Sequence, residues 1–303
     1  MQRRHFLKAS LGAGVLVSTT LGSYRRLFAA ESSVQPYDLV AIKNAPPEAL
    51  FDAGIQTMGG MQHFVKKGQR VVIKPNIAWD APPERAANTN PLLVKRIVEQ
   101  CRNAGAKEVY VFDYTCDNWQ RSYRHSGIAA AVKEAGGKMA PGNSEGYFHA
   151  VTIPDGKRLR HVKEHELILE TDVFINVPVL KSHGSTTLTV AMKNLMGSIW
   201  DRWYWHRNDL HQCIADFATY RKPDLNVVDA YNVMMRNGPR GVSTKDVVPM
   251  QTQLLSTDMV TADAAAARLF GIDPDTVEYI SIAHTMNAGR KDLQNLHIKR
   301  IKM

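Results

Sequence analysis

The sequence predicts an α/β protein: a mostly parallel sheet with helices on both faces, and a small β-rich insertion near 140–168. Two observations carry that reading. Short runs that are apolar at nearly every position alternate with segments of helical spacing, and strands of that kind are buried on both faces, as in parallel sheets. Between about 140 and 168 the rhythm stops, and a polar stretch with Pro154-Asp155-Gly156 as a turn reads as a hairpin or small subdomain.

Each element follows from local chemistry. Residues 38–43 (DLVAIK) form a first strand, and 47–64 a helix bounded by Pro46-Pro47. Residues 70–74 (RVVIK) are a second strand, stopped by Pro75, and 91–104 a helix with Pro91 in its first turn and Gly105 just past its end. A third strand, 108–113, precedes a short helix at 127–137. The fourth strand, 172–180 (DVFINVPVL), is the most apolar, and a fifth at 225–230 and a sixth at 252–257 follow it. Helices over 258–270 and 274–287 close the pattern. We find no internal repeat, and no low-complexity segment after residue 35.

The first thirty residues are read separately. Arg3-Arg4 precede Phe6-Leu7-Lys8, then comes a weakly apolar run from Leu11 to Leu21, too short and too rich in Gly, Ser and Thr to span a membrane. This layout resembles the twin-arginine signal, and Arg25-Arg26 after the apolar run fit that export route better than the general secretory one. The expectation is a signal peptide over 1–30, an α/β domain over 31–303, export in the folded state by the twin-arginine machinery, and a periplasmic or extracytoplasmic location. Leu27-Phe28-Ala29-Ala30 matches the small-x-small cleavage rule only in part, so an uncleaved anchor is one alternative and a basic N-terminal helix of a cytoplasmic protein another; no other membrane span is expected.

Setting residues 1–30 aside removes five of the 38 Lys+Arg and none of the 29 Asp+Glu, leaving 33 basic against 29 acidic residues, a formal charge of +4. With no dense basic tract left, nucleic acid is not an expected partner. Three scattered cysteines, Cys101, Cys116 and Cys213, exclude a four-thiolate iron–sulfur cluster by count. In an oxidising compartment Cys101 and Cys116 are the pair that could bridge, with burial as free thiols the alternative.

Chemistry collects where strands end. In open α/β sheets ligands bind beyond the carboxyl ends of the strands. The second strand ends in Lys74-Pro75-Asn76, the third in Asp113, the fourth in Lys181-Ser182-His183 and the fifth in Asp229. After Gly184, the spacing of Leu188, Ala191, Met192, Leu195 and Ile199 predicts a helix beginning near Ser185–Thr187, whose hydroxyls and free amides suit a carboxylate or phosphate. Lys193 lies off that apolar stripe and, because helical side chains lean toward the N-terminus, points back toward Lys181 and His183. Lys181, His183, Lys193 and Asp229 are therefore the candidate catalytic residues. The lysines neutralise charge, His183 moves a proton or ligates a metal, and Asp229 orients the histidine or a cation. The candidate ligand-binding residues are Lys74, Asn76, Thr89, Asn90, Ser185, Thr186 and Asn194, with Thr89 and Asn90 delivered by the long loop after Asn76. The plainer alternative makes the lysines solvated and the hydroxyls and asparagines local caps.

Two further stretches are ambiguous on their residues. The run SIWDRWYWHRNDLH (198–211) is a lid, a partner surface or an aromatic satellite core. His161 and His165 sit at helical i,i+4 spacing, but no third metal ligand is nearby.

Lys74-Pro75-Asn76, Thr89-Asn90-Pro91, Asp172 through Lys181-Ser182-His183, and Lys193-Asn194 with Gly197 together resemble the domain-of-unknown-function 362 family. So do Val228-Asp229-Ala230 with Gly238-Pro239, and Asp258 with Asp263. The likeness runs over roughly 39–300. It implies that some relatives carry a ferredoxin-like iron–sulfur module and others use twin-arginine export; this chain has the second feature and lacks the first. A weaker similarity links it to nickel-pincer lactate racemases, whose sites also pair a strand-end polar motif with Lys and His; it carries neither nickel nor a pincer cofactor onto any residue here.

The function expected from these residues is binding of, and action on, a small anionic molecule, with room for a metal or organic cofactor loaded before export. The alternatives are a non-catalytic ligand-binding or assembly protein for an extracytoplasmic redox enzyme, and a scaffold whose site has degenerated.

Overall fold

A computed structural model describes residues 37–303. The signal-peptide reading of residues 1–30 lies outside the described residues.

The chain enters through β1 (Leu39–Lys43) and α1 (Pro47–Thr57), with Pro47 at the first helical position. Gly59 and Gly60, both at positive φ, end this helix, and α2 (Met61–Phe64) forms separately, so the single helix expected over 47–64 is two. Next come β2 (Arg70–Pro75), α3 (Pro91–Asn103), β3 (Glu108–Val111), α4 (Trp119–His125), α5 (Ile128–Glu134) and β4 (Lys138–Met139). The expected insertion is a separate antiparallel hairpin of β5 (Phe148–Thr152) and β6 (His161–His165). His161 and His165 thus sit on a strand rather than at helical spacing. His165 accepts a hydrogen bond from the Leu167 amide, at the start of α6 (Glu166–Glu170).

The apolar run at 172–180 becomes two strands, because Pro178 has no amide to donate to a ladder: β7 (Val173–Val177) and β8 (Val179–His183). Where the hydrophobic spacing predicted a helix from Ser185, the chain instead turns back as β9 (Thr187–Thr189), antiparallel to β8. The helix starts only at α7 (Ala191–Asn194) and passes into a 3₁₀ turn, Leu195–Ser198. After it come α8 (Arg202–Arg207), α9 (Leu210–Ala218), β10 (Leu225–Met234), β11 (Val247–Ser256), α10 (Met259–Phe270), α11 (Glu278–Thr285) and β12 (Ile298–Lys302).

The sheet order is β12-β1-β11-β10-β7-β2-β3-β4, with β8 also on β10 and β9 on β8. Pairings from β10 through β7, β2 and β3 to β4 are parallel, as is β1 with β12; β11 runs antiparallel to both its neighbours. The fold class is the one the apolar runs predicted. One face packs Leu50, Phe51, Ile97 and Val98 from α1 and α3 against Ile73 and Ile175. The other packs Ile214, Phe217, Val260 and Ile280 from α9, α10 and α11. No helix among the described residues is long and apolar enough to cross a membrane.

The topology positions the site. From β2 the chain proceeds outward through β3 to β4, then returns to lay β7 against the other side of β2. Such a reversal opens a crevice at the carboxyl ends of the two central strands, where side chains from loops of different origin meet.

Candidate functional site

Beyond the ends of β2, β3 and β8 lies a cavity of about 510 Å³. Lys74, Asn76, Lys181, His183, Lys193 and Asn194 all line it, so six of the eleven residues singled out above share one wall system. Asp113, Cys116, Arg202, Trp203 and His206 complete the chemistry.

Lys74 is the last full residue of β2 before Pro75, opposite Asn176 of β7 in the ladder. Its ammonium is 2.6 Å from Asp113 Oδ1, with both side chains essentially inaccessible to solvent. It also donates to the Pro75 carbonyl at 2.9 Å and Asn194 Oδ1 at 3.2 Å, so all three protons have acceptors. Burial lowers its pKa, opposed by the Asp113 charge. Asp113 turns its other oxygen to the Ile77 amide at 2.7 Å, tying the start of the 76–90 loop to the end of β3.

Asn194 is the hub of a buried amide network. Its Oδ1 accepts from Lys74 and from Asn76 Nδ2, and its Nδ2 donates to the Lys74 carbonyl and to Asn176 Oδ1 at 2.8 Å. Asn176 in turn donates to the Ala191 carbonyl and to Asn226 Oδ1. Every side-chain polar atom of Asn176 and Asn194 is thereby paired, which is what a buried amide requires. Asn176 was hidden from sequence reasoning inside an apolar run; a lone asparagine in a fully buried strand was the available signal.

Lys181, on β8, is fully buried and donates to the Ala87 carbonyl and to Asn76 Oδ1 at 3.1 Å. Burial, with Lys193 and Lys74 nearby, brings its pKa down to about 7. His183, two residues on, accepts the Ser185 amide at Nδ1 (3.1 Å) and so carries its proton on Nε2. Burial, then the charges of Lys193 and Lys181, hold its pKa down at about 3, so the imidazole is neutral at ordinary pH. Lys193, half-buried at the cavity wall, has no hydrogen-bond or ion-pair partner among the described residues, and desolvation with the charges of Arg202 and Lys74 brings it to about 8.

The aromatic run divides. Trp205 is buried in the core, whereas Trp203 lines the cavity and is 69% exposed. Trp200 stacks on Tyr114 with ring centroids 5.0 Å apart. Arg202 lies over the same Tyr114 ring, 4.1 Å from its centroid, and donates to the Tyr114 and Thr115 carbonyls. Arg202, Trp203, His206 and Cys116 were not among the candidate site residues; side chains that reach a cavity from a separate helix and loop carry no local spacing signal.

The other five candidates, Thr89, Asn90, Ser185, Thr186 and Asp229, do not line the cavity. Thr89 Oγ1 accepts the Asn76 amide and donates to the Val177 carbonyl, clamping the 76–90 loop shut. Asn90 caps α3 by accepting the Leu92 amide. Ser185 and Thr186 lie in the β8–β9 turn, Thr186 donating to the Leu188 carbonyl. Asp229 accepts from the Asn90 and Tyr231 amides at 2.7 and 3.1 Å and touches neither His183 nor a cation. Its displacement has a simple cause: β10 runs on to Met234, so Asp229 is not at the strand end. The Cys101–Cys116 bridge does not form: all three cysteines are free, Cys101 buried and Cys116 exposed at the cavity.

The donor set is chemically one-sided. Lys74, Lys181, Lys193 and Arg202 face a single carboxylate, Asp113. Among the described residues no three His, Cys, Asp or Glu side chains come together as metal ligands. The lining ammonium and guanidinium groups fit an anion or an anionic organic group rather than a bare metal ion.

A family model described as Domain of unknown function (DUF362) matches residues 71–268. A thylakoid-associated protein of Synechocystis is 26% identical over 242 residues, covering 74% of this chain and 70% of the relative. Among solved structures, the lactate racemase apoprotein of Thermoanaerobacterium thermosaccharolyticum superposes with a TM-score of 0.50 at 13% identity, over 76% of this chain and 56% of that one. At that identity the likeness is one of fold, and the chain spans little more than half of the racemase's length.

Proposed function

This chain belongs to the domain-of-unknown-function 362 family, and from that premise we propose that its cavity binds and acts on a small anionic substrate. The observation that carries the reading is the charge count of the lining: three lysines and an arginine against one carboxylate, which Lys74 already pairs. Desolvated cations with unspent hydrogen-bonding capacity are what a carboxylate or phosphate would satisfy. His183, neutral with its proton on Nε2, supplies a donor beside them. An organic anion serving as cofactor would meet the same donors.

Export of the folded chain to the periplasm belongs to this reading and is supported by the Arg3-Arg4-Phe6-Leu7-Lys8 layout. Loading of an organic cofactor before export is its corollary.

The test is calorimetric titration of the full chain with phosphate and with oxalate, as wild type and as Lys181→Gln. We expect binding in the wild type and at least about a tenfold loss in the variant, about 1.4 kcal/mol. Equal affinity in both would remove Lys181 from the site, and absence of binding to either anion would count against the reading. A second reading, an assembly protein for a redox enzyme, is favoured by the exposed Trp203 and Tyr204 on α8. In the same titration Trp203→Ala separates the two, since a lid residue alters anion affinity and a partner surface leaves it unchanged.

A further inference from the structure

We propose that Lys193 is an amine nucleophile that condenses with the carbonyl of an anionic aldehyde or ketone bound in the cavity. The inference rests on the anion reading above and adds a covalent step to it.

The three cavity lysines differ in what their nitrogens already do. Lys74 spends its three protons on Asp113, Pro75 and Asn194, and Lys181 gives two to Ala87 and Asn76. Lys193 alone of the three has no acceptor among the described residues. Lys193 is half-buried, so its ammonium is only partly hydrated beside the other cavity cations, and the neutral amine, which exposes a lone pair, comes within reach. Burial sets that balance at about pH 8, and the charges of Arg202 and Lys74 add to it. A lysine desolvated next to other cations is a recognised way of activating an amine.

The backbone on either side of Lys193 is held. Asp263 accepts the Ala191 and Met192 amides at 2.6 and 3.2 Å, and Asn194 is locked in its amide network. The amine is therefore presented from a fixed turn into a cavity that it shares with three cations and with the rings of Trp79, Tyr114 and Trp203. At about 510 Å³ this space suits a ligand larger than a two- or three-carbon acid. The cations recognise a carboxylate or phosphate on it and the rings an apolar body.

The step balances without an oxidant or reductant. The Nζ lone pair attacks the carbonyl carbon, a C–N bond forms, and the C=O π pair moves to oxygen, which takes a proton to give the carbinolamine. The hydroxyl then leaves as water while nitrogen loses its remaining proton, so one carbonyl compound and one amine become one imine and one water. His183 Nε2–H is the cavity donor suited to hydrogen-bond the oxygen as charge develops on it.

Pyridoxal 5′-phosphate is a suitable probe, an anionic aldehyde whose imine absorbs in the visible. Pyridoxine 5′-phosphate, the alcohol with the same ring and phosphate, binds as an anion but cannot condense. The full chain is incubated with each, reduced with borohydride, and mapped by peptide mass spectrometry. We expect one adduct per chain, on Lys193, from the aldehyde only. Lys193→Arg, which keeps the positive charge, should lose the adduct and the absorbance. Adducts on Lys74 or Lys181, or scattered over surface lysines, overturn the proposal, as does the absence of an adduct when pyridoxine phosphate binds. If neither phosphate binds, the anion reading falls and this proposal falls with it. Mapping on the wild type decides the matter even should the variant fold poorly.

Discussion

Gly197 shows how little freedom the site leaves at single positions. A Cβ there would lie 1.8 Å from Asp113 Oδ1 and 2.7 Å from Lys74 Nζ, so the buried ion pair fits only because residue 197 has no side chain. Gly197→Ala should therefore destabilise by at least about 1–3 kcal/mol, by overpacking alone, and more if the pair separates. Urea denaturation measures the cost, and an unchanged midpoint would mean that the backbone moves aside freely. At this scale legibility depended on what a residue does with its polar atoms. Lys74, Asn76, Lys181 and His183 were legible because each lies at or just past a strand end, and Lys193, with Asn194 beside it, because it fell off the apolar stripe of the segment after Gly184. Thr89, Asn90 and Asp229 obeyed the same rule and proved to serve backbone amides and carbonyls, a distinction that residue type cannot convey.

Among elements, the segment after β8 departs furthest from its sequence pattern. Leu188, Ala191, Met192, Leu195 and Ile199 have helical spacing, yet Thr187–Thr189 pairs with β8 as a strand. Helical spacing over a short window also fits apolar residues shared among a strand, one helical turn and a 3₁₀ turn, and tertiary pairing settled the matter. The short α7 needs outside help to begin, and Asp263, from the distant α10, accepts two of its first amides. Asp263→Ala should cost about 2–3 kcal/mol through the unpaired amides. Anion affinity should fall as well, because Lys193 and Asn194 ride on this turn. Titration of the variant checks this, and retained affinity would show that the amide network holds α7 without the carboxylate. The strands and the helices at 91–103 and 259–270 were legible because cap, period and terminator agreed. The Pro178 break, β9 and β12 were not, since each depends on which strand lies alongside.

For the molecule as a whole, the buried lysines link stability to pH with a definite sign. Lys181 has a pKa of about 7 in the folded chain against an ordinary 10.5, so between those values the unfolded chain binds more protons and stability rises with pH. Lys193 acts in the same direction from about 8 upward. Glu164 and Asp263 act oppositely. Burial raises each carboxyl to about 8, so stability falls as pH rises from their ordinary values of 4.5 and 3.8 toward 8. The difference between wild type and Lys181→Met isolates the lysine. Wild type should gain stability relative to the variant between about pH 7 and 10.5, with a flat difference below 7. Urea melts across this range provide the measurement, and a difference independent of pH would mean that Lys181 keeps its proton on folding.

By itself the sequence determined the fold class, the order of most elements and the strand ends at which the reactive groups gather. Those properties reside in hydrophobic period, proline and glycine punctuation and caps, all of which act over a few residues. Tertiary structure alone decided that Asp113 pairs with Lys74, that Asn176 and Asn194 join strand to helix, that Arg202 and Trp203 reach the cavity, and that Lys193 is left without a partner among the described residues. These are contacts between groups far apart in sequence, decided by which strands lie side by side, and no local pattern encodes them.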